Sequence, residues 1–450
     1  MHSYWRLHKY PLLFALGSAL FYISFGYDLE RTDFPKLLTL YAALFFLYFK
    51  IMQFEKWNFN FLLTVGILFR LVFLVAEPNL SQDHFRFIWD GELIINGLNP
   101  YSYSPDEIME AGKVRLANME ELHGGMSELN ARNYSNYPPL NQLFFAVAAW
   151  LGGGTIMGSL VAMRLMIVLG DLGVLYFGRK LLKNMSQDHH MAFWYFLNPL
   201  VIIELSGNLH FEGLMLFFFV WALYLISRNK WAWAAPVYAL SIMVKLVPLM
   251  LLPIFLKYLG PKKSMAFYSV VGLCCLLILL PFYTPDFLAN YGQTLGLWFS
   301  NFEFNAGIYK LVKHIAVTYF DAKPWELIEV YGSMLIRVMV VICLLIALLR
   351  RNKTLPSLIT SMVLVLSCYY FLSSTVHPWY IVFLLGMAIF TDYRFPLLWT
   401  FAIILSYQAY SHPEFRENPW LAAIEYLLVF GFFIYELMGR ESKKLYFHKK

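Results

Sequence analysis

Apolar residues run through most of the chain in stretches of roughly 20, separated by short polar segments. A helix needs about that many apolar residues to cross a bilayer, so the pattern predicts membrane spans. We therefore predict an all-α fold, a polytopic membrane protein forming one integral membrane domain over residues 1–450. The pattern accommodates about 14 transmembrane helices, near residues 11–27, 36–52, 59–77, 157–179, 190–206, 211–227, 231–247, 248–258, 264–283, 333–350, 355–374, 378–391, 395–410 and 420–438.

Composition agrees with a membrane protein. Of the 450 residues, 59% are hydrophobic and 14% are charged, and mean hydropathy is +0.55. The net charge of +6 arises largely from Lys and Arg in short loops that fall on one side when both termini are cytoplasmic, which is the positive-inside pattern. We expect no nucleic-acid partner. The four cysteines lie inside apolar runs without disulfide or metal spacing.

Two apolar segments require a choice. Counting residues 139–154 as a span would invert every later basic loop, so we predict an interfacial helix there. One long helix over residues 231–258 would have the same effect, and we expect Pro248 and Pro253 to mark a tight hairpin instead. Two outer loops then remain, residues 78–156 and 284–332, which are too long to be simple connections and are expected to contain interfacial helices and the functional site.

The first outer loop begins with SQDHFRFIWDGELIINGLNPY. Asp83, Arg86 and Asp90 are spaced i, i+3 and i+7, which places them on one helix face while aromatic and aliphatic residues cover the rest. We predict an aromatic-coated helix on the outer membrane surface that ends near Gly97, with its acidic stripe pointing inward. Asp83 would then serve as a general base, and Arg86 would lower the pKa of Asp83. The alternative is a solvated amphipathic helix with an internal ion pair.

Several charged residues fall inside the predicted spans, where such groups usually face the protein interior: Arg70, Arg164, Asp171, Glu204, Lys245 and Arg337. Arg164 and Asp171 are i, i+7 on one face, and structural pairing across the bundle explains them well. Lys245 comes at the outer end of its span, near the expected positions of His210 and His377. These three residues are candidate cations for a departing phosphate, although a single histidine at a helix end is often structural.

Motifs for nucleotide or metal binding are absent from the sequence: it contains no Walker loop, no GxGxxG after a strand, no HExxH and no Cys/His cluster. We expect neither a cofactor nor a metal.

Four segments in order carry a resemblance to a known family: WDGELIINGLNPY, NYPPLNQLFF, NPLVIIELSGNLHFEGLM and VKLVPLMLLPIF. They resemble the bacterial polyprenol-phosphate-mannose-dependent mannosyltransferases of the GT-C superfamily. The likeness runs from about Gln82 to Phe255 and continues more weakly, through FNAGIYKLV and HPWYIVFLL, to near Leu385.

This resemblance implies a GT-C fold, a polyprenyl-phosphate sugar donor, a periplasmic active site and an inverting transfer. By position, Asp83 corresponds to the general base, while Arg86 and Asp90 correspond to the polar residues that follow it. Candidate substrate-binding residues are Asp90, Asn208, His210, Glu212, Lys245 and His377. Two departures stand out: Gln82 replaces an acid that many relatives carry, and Glu212 stands where an Asp is usual.

The sequence thus predicts a glycosyltransferase of the bacterial inner membrane that moves a hexose, most readily mannose, to a hydroxyl of a lipid-linked or glycan acceptor in the cell envelope. Its other expected partners are membrane lipids. A glucosyl or arabinosyl donor would require the same chemistry, and a lipid-linked glycan ligase or polymerase would share the topology. A secondary transporter ranks last, because the sequence shows long outer loops and no internal repeat.

Overall fold

The computed structural model describes the backbone of residues 2–412 and 414–447 and the side chains of residues 8–297, 301–412 and 414–439. Over that part of the chain the elements are helices, and the one extended pairing is an isolated parallel bridge between Phe304 and Thr375. The predicted all-α class is confirmed.

The first nine α-helices of the described residues are α1 (His2–Tyr27), α2 (Phe34–Glu55), α3 (Phe59–Val72), α4 (Asp83–Ile95), α5 (Pro105–Ala111), α6 (Met119–Gly125), α7 (Glu128–Arg132), α8 (Pro139–Gly152) and α9 (Ile156–Asn184). Side-chain caps fix several of their starts. Asp33 accepts from the Lys36 N–H at 3.1 Å at the start of α2, and Thr155 accepts from Gly158 at the start of α9.

The remaining α-helices are α10 (Ala192–Phe196), α11 (Pro199–Val201), α12 (Glu212–Ser227), α13 (Trp231–Val244), α14 (Leu256–Leu259), α15 (Pro261–Leu279), α16 (Phe287–Ser300), α17 (Ile308–Phe320), α18 (Pro324–Leu349), α19 (Leu355–Leu372), α20 (Tyr380–Ala388), α21 (Phe395–Ala402) and α22 (Pro419–Phe447). Between them lie 3-10 segments at His189–Met191, Val247–Phe255, Leu280–Phe282 and Ile403–Ser411, and a π-helical turn at Ile202–Gly207.

The protein is a multi-pass membrane protein. Among the described residues seven helices are long and apolar enough to cross a bilayer: His8–Tyr27, Phe34–Glu55, Ile156–Asn184, Pro261–Phe282, Pro324–Leu349, Leu355–Leu372 and Pro419–Gly439. A bent pair, Pro199–Gly207 and Glu212–Ser227, meets at 115° and would make an eighth.

The prediction of about 14 spans exceeds this number. Residues 59–77 and 231–247 form shorter helices, Phe59–Val72 and Trp231–Val244. The segment near 190–206 is divided among 3-10, α and π turns, and 395–410 is an α-helix followed by a 3-10 helix. Runs of apolar residues do not reveal such breaks, because a buried broken helix is as apolar as an intact one.

The two ambiguous segments resolve separately. As predicted, a break interrupts residues 231–258, so they do not form one long helix. The break comes before Pro248 and Pro253: Lys245 is extended, with φ −148° and ψ 139°, and a 3-10 helix follows. Residues 139–152 form α8, whose exposed side includes Val147 and Trp150. That α8 lies at the outer membrane interface stays a prediction.

The helix α4 begins at Asp83 and, as predicted, ends before Gly97, but its surroundings differ from the prediction. Phe87, Ile88 and Trp89 are buried inside the protein rather than spread on a membrane surface. The contact with α8 requires a glycine at position 91, because a Cβ there would lie 2.3 Å from the carbonyl oxygen of Phe145. The helix α4 is therefore a buried element that carries its polar face between other helices.

Charged residues within the bundle satisfy one another. Arg70 Nε donates to Asp171 Oδ2 at 2.9 Å, with both side chains fully buried, and Tyr195 donates to the other carboxylate oxygen at 2.8 Å. Arg164 donates to the carbonyls of Ser206 and Leu74. The prediction that Arg164 and Asp171 each have structural partners on other segments of the bundle is confirmed.

Arg337 does not follow the rule that charged residues in spans face the interior. Its side chain is exposed, and it donates to Ser333 one turn earlier on its own helix.

Candidate active site

A cavity of about 480 Å³ lies where the first turns of α4 and α12, the end of α13 and the loop before α20 come together. Its wall also includes the chain just before α8, the loop between α1 and α2, and the segment after α21. Of the candidate residues, Asp83, His210, Glu212, Lys245 and His377 line this cavity. Their convergence was expected for Lys245, His210 and His377, and the structure brings these three together.

Asp83 is the first residue of α4, and its carboxylate lies in the cavity wall. Asn130 Nδ2 is 3.5 Å from Asp83 Oδ1, and the Asp83 N–H donates to Ser81 Oγ at 3.3 Å. Burial raises the pKa of Asp83, against the opposing effects of Lys245, Asn130 and Arg31. The prediction that Arg86 lowers the pKa of Asp83 is therefore wrong.

Arg86 instead pairs with the third residue of the stripe. Its Nε donates to Asp90 Oδ1 at 2.7 Å, and its Nη1 donates to the carbonyls of Asn130 and Asn133. The other oxygen of Asp90 accepts from Ser135 Oγ at 2.6 Å and from Gln142 Nε2 at 2.8 Å. This buried network lies behind the cavity wall, where it holds the loop before α8 against α4. Arg86 and Asp90 thus support the wall rather than form its surface.

Lys245 ends α13 and donates to Glu212 Oε1, at the start of α12. The Glu212 side chain is nearly fully buried and that of Lys245 is 21% exposed. The second oxygen, Glu212 Oε2, has no hydrogen-bond partner among the described residues. Lys245, which the sequence suggested as a cation for a departing phosphate, is thus already paired with Glu212. Glu212 retains one accepting oxygen in the cavity wall.

The two histidines lie against Trp379. The His210 ring stacks on Trp379 with 3.7 Å between centroids, and the His377 ring does so at 4.3 Å and 4°. Burial lowers the pKa of His377 to about 3, with Lys245 and Arg31 adding to the effect, so that its imidazole is neutral at physiological pH. The prediction that His377 is a cation for a phosphate is therefore wrong.

Asn208 is buried outside the cavity wall. Its Oδ1 accepts from the Leu80 N–H at 3.1 Å, and its Nδ2 is 3.4 Å from Glu204 Oε2. Glu204 in turn accepts from Tyr407 at 2.7 Å. Asn208 therefore ties the chain before α4 to the bent helix pair, so its contacts are structural.

Four residues that the sequence did not single out also line the cavity: Arg31, Asn141, Trp379 and Tyr410. The guanidinium carbon of Arg31 lies 3.2 Å from the centroid of Tyr410. No carboxylate lies within 4.0 Å of Arg31 in the part of the chain that the structure describes. Arg31 is therefore a cation of the cavity without an anionic partner there.

Asn141, in NYPPLNQLFF, is 1% exposed, and its Nδ2 and Oδ1 both lack hydrogen-bond partners among the described residues. Leaving a buried amide unpaired is costly, so such an amide in a cavity wall is typical of a site for a polar ligand. His377 Nδ1 is unpaired in the same way. The cavity thus combines the Asp83 carboxylate, whose pKa is raised, the Arg31 guanidinium, which has no carboxylate partner among the described residues, and polar atoms without hydrogen-bond partners there.

Comparison with known proteins shows similarity to one family of enzymes. Residues 37–259 match the model of the family described as "Alpha-(1->6)-mannopyranosyltransferase, N-terminal domain". Together with the helical membrane architecture, this match supports a mannosyltransferase family of the GT-C type, as the order of the four segments predicted, and a glycosyltransferase as the class of enzyme.

Two curated relatives carry the same description. The chain is 25% identical over 143 residues to alpha-(1->6)-mannopyranosyltransferase A of Mycobacterium tuberculosis, covering 32% of this chain and 26% of the relative. It is 24% identical over 157 residues to alpha-(1->6)-mannopyranosyltransferase B of Corynebacterium glutamicum, covering 35% of this chain and 25% of the relative. The match thus spans about a quarter of the length of these relatives. Arg31 and His377 lie outside the residues that the family model matches.

Proposed function

We propose that this protein transfers mannose from a polyprenyl-phosphate donor to a hydroxyl of a lipid-linked or glycan acceptor, at the periplasmic face of a bacterial inner membrane. The observation that carries the proposal is the position of Asp83, a carboxylate of raised pKa, in a cavity that also contains Arg31, a cation without a carboxylate partner among the described residues. The similarity to mannosyltransferases supports the choice of sugar.

In the proposed reaction Asp83 accepts the proton of the acceptor hydroxyl while the hydroxyl oxygen bonds to the anomeric carbon of the donor. The bond from that carbon to the phosphate oxygen breaks in the same step, and the electron pair leaves with the lipid phosphate. A single displacement inverts the anomeric carbon, so a β-linked donor gives an α-mannoside. The raised pKa suits a base that must hold the proton after transfer.

Charge on the leaving phosphate requires a cation that is not already neutralised. Lys245 is paired with Glu212, while Arg31 has no carboxylate partner among the described residues. We therefore assign the phosphate to Arg31, with Lys245 acting mainly through its effect on the pKa of Asp83. The contact with the Tyr410 ring restricts the directions in which the Arg31 guanidinium can present its N–H donors.

Sugar hydroxyls both donate and accept hydrogen bonds, and neutral groups suit them. The unpaired amide of Asn141 supplies a donor and an acceptor, and the neutral imidazole of His377 supplies a further polar atom. Glu212 Oε2 can accept another hydroxyl. These residues form the proposed sugar subsite.

The test uses purified protein with three polyprenyl-phosphate donors that carry mannose, glucose or arabinose, and a hydroxyl acceptor prepared from envelope glycan. The proposal predicts transfer from the mannose donor above the other two and an α-linkage in the product by NMR. Preferred transfer of glucose or arabinose would retain the chemistry and overturn the choice of sugar. Transfer only from a diphosphate-linked glycan would indicate a ligase or polymerase instead.

A further inference from the structure

A second cavity, of about 600 Å³, lies between α3 and α9, away from the candidate active site. These helices are antiparallel. Arg164 of α9 bonds the Leu74 carbonyl just beyond one end of α3, Arg70 and Asp171 join the middle, and Arg179 covers Phe59 at the other end. Because Arg164 and Arg179 are 15 residues apart on one helix, the Arg179 end of the cavity is about 22 Å along α9 from Arg164.

The walls of this cavity, which we call the α3–α9 groove, are apolar along its length and basic at one end. Leu63, Leu172 and Leu175 form the apolar part. Arg179, Lys180, Lys183 and His189 lie at the end near the C-terminus of α9. A groove of this kind matches an acyl chain continued by an anionic headgroup.

The basic end lacks carboxylate partners among the residues that the structure describes. No carboxylate lies within 4.0 Å of Arg179 or Lys183 in the described part of the chain. The acids on either side in sequence have other partners: Asp171 pairs with Arg70 at 2.9 Å, and Asp188 pairs with Lys56 at 3.1 Å. Arg179 Nε is buried without a hydrogen-bond partner, and its guanidinium lies 4.0 Å from the Phe59 ring. A buried N–H donor beside an unneutralised lysine is a site for an external anion.

We propose that the α3–α9 groove binds an anionic phospholipid, with one acyl chain along the leucines and the phosphate at Arg179 and Lys183. Lys180 takes a lesser part, because its Nζ already bonds the Tyr176 hydroxyl. The site is separate from the proposed reaction, so that loss of one does not imply loss of the other.

The experiment is native mass spectrometry of the purified full chain with phosphatidylglycerol or phosphatidylcholine of the same acyl composition. The wild type should retain phosphatidylglycerol in preference to phosphatidylcholine. The double variant Arg179→Gln and Lys183→Gln should lose that retention by roughly 10- to 30-fold. The matched control is Lys262→Gln with Lys263→Gln, which removes the same charge from two exposed residues at the start of α15 and should retain the lipid.

A second pair of variants tests the groove without altering charge. Leu172→Trp fills the groove and should reduce retention of phosphatidylglycerol, whereas Leu169→Trp, at a position 67% exposed on the same helix, should not. Three results would each overturn the proposal. The wild type could retain the two lipids equally, or the double variant Arg179→Gln and Lys183→Gln could lose no more lipid than its charge control. The third is full retention of phosphatidylglycerol by the double variant and also by Leu172→Trp.

Discussion

Arg86 and Asp90 form a buried ion pair, with 2.7 Å between Nε and Oδ1, on the same helix as Asp83. Of the three polar residues on this face of the helix, Asp83, Arg86 and Asp90, the last two therefore have a structural role. Asp83, at the beginning of the helix, is the member of the stripe that lines the cavity. The division between a supporting pair and a reactive carboxylate leads to measurable differences.

Asp90→Asn should reduce stability far more than Asp83→Asn. It removes the charge that neutralises Arg86 inside the protein, and breaking a buried pair from one side costs roughly 3–5 kcal/mol. Thermal unfolding in detergent measures this loss, with Asp83→Asn as the comparison. An Asp90→Asn protein that unfolds like the wild type but no longer transfers sugar would instead assign Asp90 a direct part in the reaction.

Lys245→Met should move the acid limb of the pH profile of kcat/KM to higher pH. Burial raises the pKa of Asp83 and Lys245 is the largest influence that opposes the rise, so its removal raises that pKa further. A base works only when deprotonated, and activity therefore disappears at a higher pH as the solution is acidified.

The appropriate control for this shift is Lys323→Met, which removes an exposed lysine paired with Glu326 at 2.8 Å. Adding Glu212→Gln to Lys245→Met removes the carboxylate left unpaired and should reverse part of the shift. An acid limb unmoved in Lys245→Met would mean that Lys245 does not act on the base.

Arg31→Gln should lower kcat/KM for the polyprenyl-phosphate donor by roughly 10- to 100-fold, from the loss of charged hydrogen bonds to the phosphate. Steady-state kinetics with varied donor measures the effect. Arg132→Gln, at a side chain 69% exposed and paired with Glu128, should behave as the wild type. Equal kinetics in Arg31→Gln and Arg132→Gln would exclude Arg31 from donor binding.

The raised pKa of Asp83 also has a consequence for stability. The folded state favours the protonated acid, so this contribution to stability is present below the unfolded pKa near 4 and is lost as pH rises through the folded pKa. An asparagine at this position does not ionise, so Asp83→Asn does not lose stability in this way as pH rises. As pH increases from the unfolded pKa to the folded pKa, the unfolding temperature of Asp83→Asn should therefore rise relative to that of the wild type. A difference in unfolding temperature that does not change with pH would contradict the raised pKa.

The sequence was sufficient to predict helix α4, its end near Gly97 and the meeting of Lys245, His210 and His377, because spacing and span ends determine these features locally. It could not show that Arg86 selects Asp90 over Asp83, since both acids lie within one or two turns of it. Nor did any motif mark Arg31, whose contact with Tyr410 joins the two ends of the chain. Burial of the aromatic side of α4 was missed because lipid-facing and core-facing residues are equally apolar.

The most direct test of the account is transfer of labelled mannose from polyprenyl phosphate mannose by wild type and Asp83→Asn at matched protein levels. We expect transfer by the wild type and a rate lower by roughly 10²- to 10⁴-fold in the variant, whose unfolding temperature should be no lower than that of the wild type. Equal rates in the two proteins would contradict Asp83 as the base.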